Sequence, residues 1–211
     1  MVTYWAKTPR LLRELYPKGL VWDMPVSGEP TVYITFDDGP HPTATPFAMQ
    51  QLAQYNAKAT FFCVGNNVVR FPDIYEELLK NGHVTANHTF NHMNGWKTED
   101  DNYLHNIDKA GQYIDSKLFR PPYGLIKRSQ AKRLRQKYPD WKIIMWNVLS
   151  GDFDRTLSPE KCLDNVLKHI KPGSIVLFHD SEKAWDRMNY ALPKVLAHSH
   201  HQGWKMKALT F

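Results

Sequence analysis

The chain has 211 residues, 42% hydrophobic and 23% charged, and a net charge of +6 with its ten histidines counted as neutral. That length and balance suit one domain with a sizeable core and exclude a disordered tail or a fibrous repeat. Two cysteines, Cys63 and Cys162, are too few for a disulfide framework; there is no CxxC pair, and no run of about 18 apolar residues that could span a membrane.

The first 29 residues contain no apolar stretch of the secretory-signal kind. The chain is therefore expected to stay in the cytoplasm, or to be an exported protein whose leader has been removed. "YWAKTPRLLRELYP" (4–17) predicts an amphipathic helix, so residues 1–29 are expected to form an extension packed on the domain that follows. From residue 30 onward, β-branched apolar runs alternate with segments of helical period. "TVYITF" (31–36) reads as a buried strand and residues 43–56 as a helix with Pro46 in its first turn. "KATFFCVG" (58–65) is a second strand, 71–83 a helix opened by Pro72, and "VTAN" (84–87) a short strand. A helix follows over 99–115, with an acidic first turn at Glu99, Asp100 and Asp101. "LFRPPYG" (118–124) is a strand running into a proline break, 127–138 a helix, and "WKIIMWNV" (141–148) a strand. Ser158 is an N-cap before Pro159 for a helix that stops near Lys171, at Pro172 and Gly173. "SIVLFH" (174–179) is a strand, 189–201 a helix and "WKMKALTF" (204–211) a last strand.

This alternation predicts an α/β fold with seven or eight parallel strands and helices outside, able to close into a barrel. In such folds chemistry gathers beyond the C-terminal ends of the strands. Asp37 and Asp38 follow the first strand, His88 the third, Arg120 closes the fourth, Asp152 lies beyond "IIMWNV", and His179 ends "SIVLF". The densest basic run, Lys127 to Lys137, has helical spacing and reads as a solvated helix face, so no nucleic-acid partner is expected. Aromatics make up 13% of the chain; most suit the core, and some would suit a sugar-binding cleft.

"HTFNH" (88–92) places two histidines four apart, which on a helical turn would face one cation. Thr89 stands where the zinc-protease motif has its general-base glutamate, so a base must come from elsewhere. Asp37 and Asp38 would repel one another unless a divalent cation offset their charge. One aspartate with His88 and His92 makes a His₂Asp set that leaves a position open for water, the catalytic arrangement of zinc. The neighbouring aspartate is then free to take a proton. Without a metal, "DDG" reads as a turn. His179 could supply the acid for a departing amine, with Asp152 holding its tautomer and raising its pKa. Arg120 could keep the free aspartate ionised. In "RPPYG" the first free backbone N–H after the prolines belongs to Tyr123.

These residues resemble the polysaccharide deacetylases with a NodB-homology domain, carbohydrate esterase family 4. The resemblance runs over residues 30–211, with five motifs in the family's order: "TFDDGP" (35–40), "HTFNH" (88–92), "RPPYG" (120–124), "WNVLSGDF" (146–153) and "LFH" (177–179). It implies a distorted (β/α) barrel and a metal-dependent hydrolase that removes N-acetyl groups from N-acetylglucosamine-type units of peptidoglycan or chitin oligomers. By that resemblance Asp37 is the base, while Asp38, His88 and His92 hold one divalent metal ion, zinc above cobalt or nickel. Tyr123 supplies an oxyanion donor through its backbone, Arg120 tunes Asp37, and His179 is the acid tuned by Asp152. Trp146 and Leu177 line the substrate groove and the acetyl pocket. The fourth motif departs from the family: Leu149 and Phe153 stand where relatives carry Asp and Trp, which leaves substrate preference open. The expected partner is an N-acetylated glycan, and the expected state is a monomer. The rival readings are a glycan-binding protein without activity, a His₂-carboxylate iron oxygenase, and a hydrolase of C–N bonds in small molecules.

Overall fold

The computed structural model describes residues 4–26 and 28–211. Its centre is β1 (Thr31–Asp37), whose alternate side chains are buried on both faces, as its nearly continuous apolar sequence requires. β2 (Thr60–Cys63) and β3 (Val84–Asn87) follow on one side, then β4 (Leu118–Phe119) and β5 (Lys142–Ile143). β7 (Ile175–His179) and β6 (Val148–Leu149) lie on the other side. The order β5-β4-β3-β2-β1-β7-β6 is parallel throughout, and β8 (Lys205–Met206) pairs with the start of β1. Seven parallel strands thus form a curled half-barrel, with helices packed outside. In the core Phe36 of β1 stacks on Phe61 of β2, with ring centroids 4.7 Å apart, and meets Phe178 of β7 at 6.2 Å.

Segment 141–148 departs from the single strand its composition suggests. β5 and β6 are two short strands on opposite edges of the sheet, joined by residues 144–147. The N-terminal segment takes up part of the hydrogen bonding of this stretch. Val21 N–H donates to Ile143 O and Met145 N–H to Val21 O, at 2.9 and 2.7 Å. Leu149 N–H donates to Ala6 O at 2.8 Å and Thr8 N–H to Asn147 O at 3.1 Å. The extension thus runs along both open edges. Its helix α1 spans only Arg10–Leu15 and buries none of its residues; the contacts come from the extended stretches around it.

α2 (Ala44–Ala53), α4 (Pro72–Lys80), α5 (Asp100–Gly111), α6 (Arg128–Lys137) and α7 (Pro159–Leu167) lie where the helical period places them. Ser158 caps α7 by accepting from Lys161 N–H at 3.2 Å. α3 (Gly65–Arg70) has six residues, too few to show a period. α8 starts at Trp185 rather than 189 and runs to His201, because Arg187 and Met188 also belong to its buried face. The last strand is limited to β8; beyond it the tail is pinned where Leu209 N–H donates to Thr60 Oγ1 at 2.9 Å. Among the described residues, no helix is long and apolar enough to cross a membrane.

Candidate active site

β1 and β7 are in register with Asp37 opposite His179, which sets a potential base and a potential acid side by side at the C-terminal edge. Asp37 is 3% exposed. Its Oδ1 accepts from Arg120 Nη1 at 2.6 Å, and its Oδ2 lies 3.7 Å from His88 Nε2. Arg120 is fully buried, a costly place for a guanidinium unless every donor is used. It also donates to Thr35 Oγ1, Ile144 O and Met145 O, at 2.8, 3.3 and 3.0 Å, and lies over the Phe62 ring at 3.9 Å.

The chain leaves β1 through Asp38, which adopts a left-handed φ of 83°. The histidine pair is not helical, contrary to the helical-turn reading of "HTFNH". Residues 88–92 are a loop, with positive φ at Thr89 (64°) and His92 (55°). For β-branched Thr89 this is a strained backbone that its surroundings must hold. Asn87 Oδ1 accepts from Thr89 N–H, and Asn106 Oδ1 of α5 accepts from both Phe90 and Asn91 N–H, each at 2.9 Å. The loop brings the His88 and His92 rings within 5.1 Å of one another.

Asp38, His88 and His92 offer ligand atoms that all lie within 4.8 Å of one another, the one such cluster among the described residues. Three features fit a cation. Asp38 Oδ1 is buried without a hydrogen-bond partner, although His92 Nε2 is 3.1 Å away; the groups are close but not aligned. His88 Nδ1 donates to Arg120 O at 2.8 Å, which leaves Nε2 as a lone-pair ligand. Burial lowers the His88 pKa to about 4, against the pull of Asp37 and Asp38, so its ring is neutral and able to ligate. Burial opposes ionisation of Asp38, but the neighbouring His92 and His179 outweigh it and hold the carboxyl below its usual range.

His179 is the other half of the site. Its Nδ1 is paired with Asp152 Oδ1 and its backbone N–H donates to Asp152 Oδ2, both at 2.7 Å. Burial alone would lower its pKa; the Asp152 charge and hydrogen bond overcome that and lift it to about 9. Tyr123 has φ 60°, and its ring lies 4.6 Å from that of His92. The turn's own bonds run from Gly124 N–H to Pro121 O and from Leu125 N–H to Pro122 O, and do not use the Tyr123 amide. Trp146 packs beneath Gly124: a Cβ there would stand 2.7 Å from its ring. Leu177 shares the His179 face of β7 one step deeper and is 2% exposed. A cleft of about 330 Å³ beside the cluster is lined by Asp38, Val64, Asn66, Asn67, Asn91 and His92.

Several supporting residues escape a reading of the sequence. Asn67 donates to Asp38 O at 2.7 Å, Arg187 Nε to Asp152 O at 2.7 Å, and Gly39 N–H to Asp180 Oδ1 at 3.0 Å. Asp180 was within reach of the strand-end rule, since it directly follows His179. Asn67, Asn106 and Arg187 sit in or beside helices, where their polar character reads as solvent exposure.

Fold and site together define a parallel α/β protein with a buried aspartate opposite a histidine, beside a cluster of side chains able to hold one metal ion. The chain belongs to the polysaccharide deacetylase family, whose model matches residues 25–138. It is 34% identical over 202 residues to a peptidoglycan-N-acetylglucosamine deacetylase of Bacillus cereus, a match covering 92% of this chain and 93% of that one. It is 32% identical over 157 residues to a chitooligosaccharide deacetylase of Azorhizobium caulinodans, covering 71% and 73%. The crystal structure of a peptidoglycan N-acetylglucosamine deacetylase in complex with 4-naphthalen-1-yl-N-oxidanyl-benzamide superposes with a TM-score of 0.85 at 32% identity, covering 96% of this chain and 95% of that one. The fold expected from the sequence is therefore the family's fold. A protein of Bacillus anthracis described as a family pseudoenzyme shares the fold at a TM-score of 0.76 and 22% identity, covering 94% of this chain and 69% of that one, so fold alone does not decide activity.

Proposed function

We propose that this chain is a metal-dependent hydrolase that removes N-acetyl groups from N-acetylglucosamine-type units of a polysaccharide, peptidoglycan or chitin oligomers. The named activities of its relatives support that substrate class. One observation carries the reading: Asp37, pinned by Arg120 at 2.6 Å, faces His179 across the strand register and adjoins the Asp38–His88–His92 cluster.

Asp38, His88 and His92 would hold one divalent ion, with zinc the best match to a His₂-carboxylate set and cobalt or nickel as substitutes. When bound, such an ion supplies Lewis acidity toward water and the acetamide carbonyl. Asp37 Oδ2, the oxygen not paired with Arg120, accepts the proton of the attacking water. Arg120 holds that carboxylate in place through Oδ1. His179, its Nδ1 fixed by Asp152, gives a proton from Nε2 to the departing glucosamine nitrogen. The Tyr123 amide serves as an oxyanion donor, and Trp146 and Leu177 shape the wall that meets the sugar and the acetyl methyl. Residues 30–211 would be the catalytic domain and residues 1–29 an extension, whose described residues Ala6, Thr8 and Val21 bond to its open edges, and the working unit a monomer.

Acetate release from chitin oligomers and from peptidoglycan, with zinc present, tests this reading. Asp37→Asn should lower kcat by about 10²–10⁴-fold while zinc binding persists. Undiminished turnover in that variant removes Asp37 from its role. No acetate from any glycan by the zinc-loaded protein overturns the deacetylase reading, and glycan binding by that inactive protein would then favour a glycan-binding protein.

A further inference from the structure

Asp38 lies just past the end of β1, where the chain takes a left-handed turn and no longer has strand pairing to hold it. Asp180 takes over that support. It follows His179 directly, is 1% exposed, and contacts the backbone on both sides of Asp38. Its own N–H donates to Asp37 O and its Oδ1 accepts from Gly39 N–H, each at 3.0 Å. Its Oδ2 accepts the hydroxyl of Thr45 in the first turn of α2. Thr45 Oγ1 in turn accepts from His41 N–H at 2.7 Å, which closes the loop onto the helix.

The glycine of "DDGP" has its reason here. Gly39 is not among the residues with positive φ, so a left-handed backbone is not what demands it. A Cβ at Gly39 would instead lie 2.0 Å from Asp180 Oδ2 and 2.7 Å from Oδ1. The carboxyl group occupies the space a side chain would need, and loop and carboxyl group are fitted to one another.

We infer that Asp180 is a positioning residue, whose carboxyl group clamps loop 37–40 so that Asp38 meets His88 and His92 while Asp37 stays opposite His179. This rests on the metal site proposed above. The plainer alternative is a buried carboxyl group that satisfies two donors and serves stability alone. The two differ in what they predict for metal binding by a folded variant.

Asp180→Ala, Asp180→Asn and Gly39→Ala would be stripped of metal, checked for folding by circular dichroism, and titrated with zinc and with cobalt. Asp180→Ala should bind zinc about 10- to 100-fold more weakly, the usual loss when an outer-shell partner goes, and should change the visible spectrum of bound cobalt. At saturating zinc its kcat should stay lowered, with KM close to the wild-type value. Asp180→Asn keeps an acceptor for Gly39 and offers its amide to Thr45, so it should restore most of the affinity. Gly39→Ala displaces the carboxyl group without deleting it and should reproduce the Asp180→Ala loss; it decides the question should Asp180→Ala fail to fold. The double variant should be little worse than either single one, as expected of two residues acting through one contact. A folded Asp180→Ala or Gly39→Ala protein with wild-type zinc affinity and cobalt spectrum overturns the proposal. Wild-type protein that takes up no zinc overturns the metal reading itself, a separate failure visible before any variant is compared.

Discussion

Asp37 and Asp38 are adjacent, yet their surroundings separate their chemistry. Asp37 completes β1 and lies buried against Arg120, whereas Asp38 turns out of the strand toward two imidazoles. His179 shows how one contact sets a working proton affinity, because Asp152 raises its pKa from the ordinary 6.5 to about 9 despite burial. The folded state therefore holds this proton more tightly than the unfolded chain. The resulting stabilisation is complete below pH 6.5 and is lost as pH rises through about 9. An acid so raised by Asp152 stays protonated at neutral pH, so kcat/KM of the zinc-loaded enzyme should fall on an alkaline limb that lies above the ordinary histidine range. In Asp152→Asn the limb should move toward the ordinary histidine range and kcat should drop; a limb that stays in place removes His179 from the acid role. Most of these residues were legible in the sequence because each ends an apolar run. Which aspartate would ligate was not legible from spacing, since it depends on the left-handed turn at Asp38.

At the scale of elements, Arg120 ties the site to the fold. One side chain at the end of β4 bonds to Thr35 and Asp37 of β1 and to the carbonyls of Ile144 and Met145 in the link between β5 and β6. Arg120→Met would leave Asp37 buried without its partner, and such losses cost about 3–5 kcal/mol. Urea unfolding should register that drop; a loss below about 1 kcal/mol would place the pair among weak surface-type contacts. The alternation of strands and helices was readable, while two details were not. Segment 141–148 has the composition of one strand, but its backbone pairs with the N-terminal segment between two edges, a long-range choice that local composition does not encode. The "HTFNH" loop is held by Asn87 and by Asn106, the latter 16 residues from Phe90, so the spacing of its histidines suggests a helix that the chain does not form.

On the scale of the whole molecule, a parallel sheet collects side chains from four strand ends into one small region. β1 supplies Asp37 and, just beyond it, Asp38; β3 is followed by His88, β4 by Arg120, and β7 ends at His179. That convergence was foreseeable because C-terminal strand edges are where such folds place their chemistry. The direction from which a glycan approaches was not, since the cleft beside Asp38 and His92 is lined by asparagines from α3 and the histidine loop that carry no motif of their own. Zinc should also stabilise the folded chain, by about 2.7 kcal/mol at 100 times its dissociation constant, and a chelator should reverse this. The most direct measurement is a titration of metal-stripped protein with zinc, followed by acetate release from an N-acetylated glycan. Activity should rise in proportion to zinc and level off at one equivalent per chain, and His88→Ala and His92→Ala should show neither tight uptake nor turnover. Full acetate release from the metal-stripped protein, or undiminished zinc uptake by those two variants, would contradict the account.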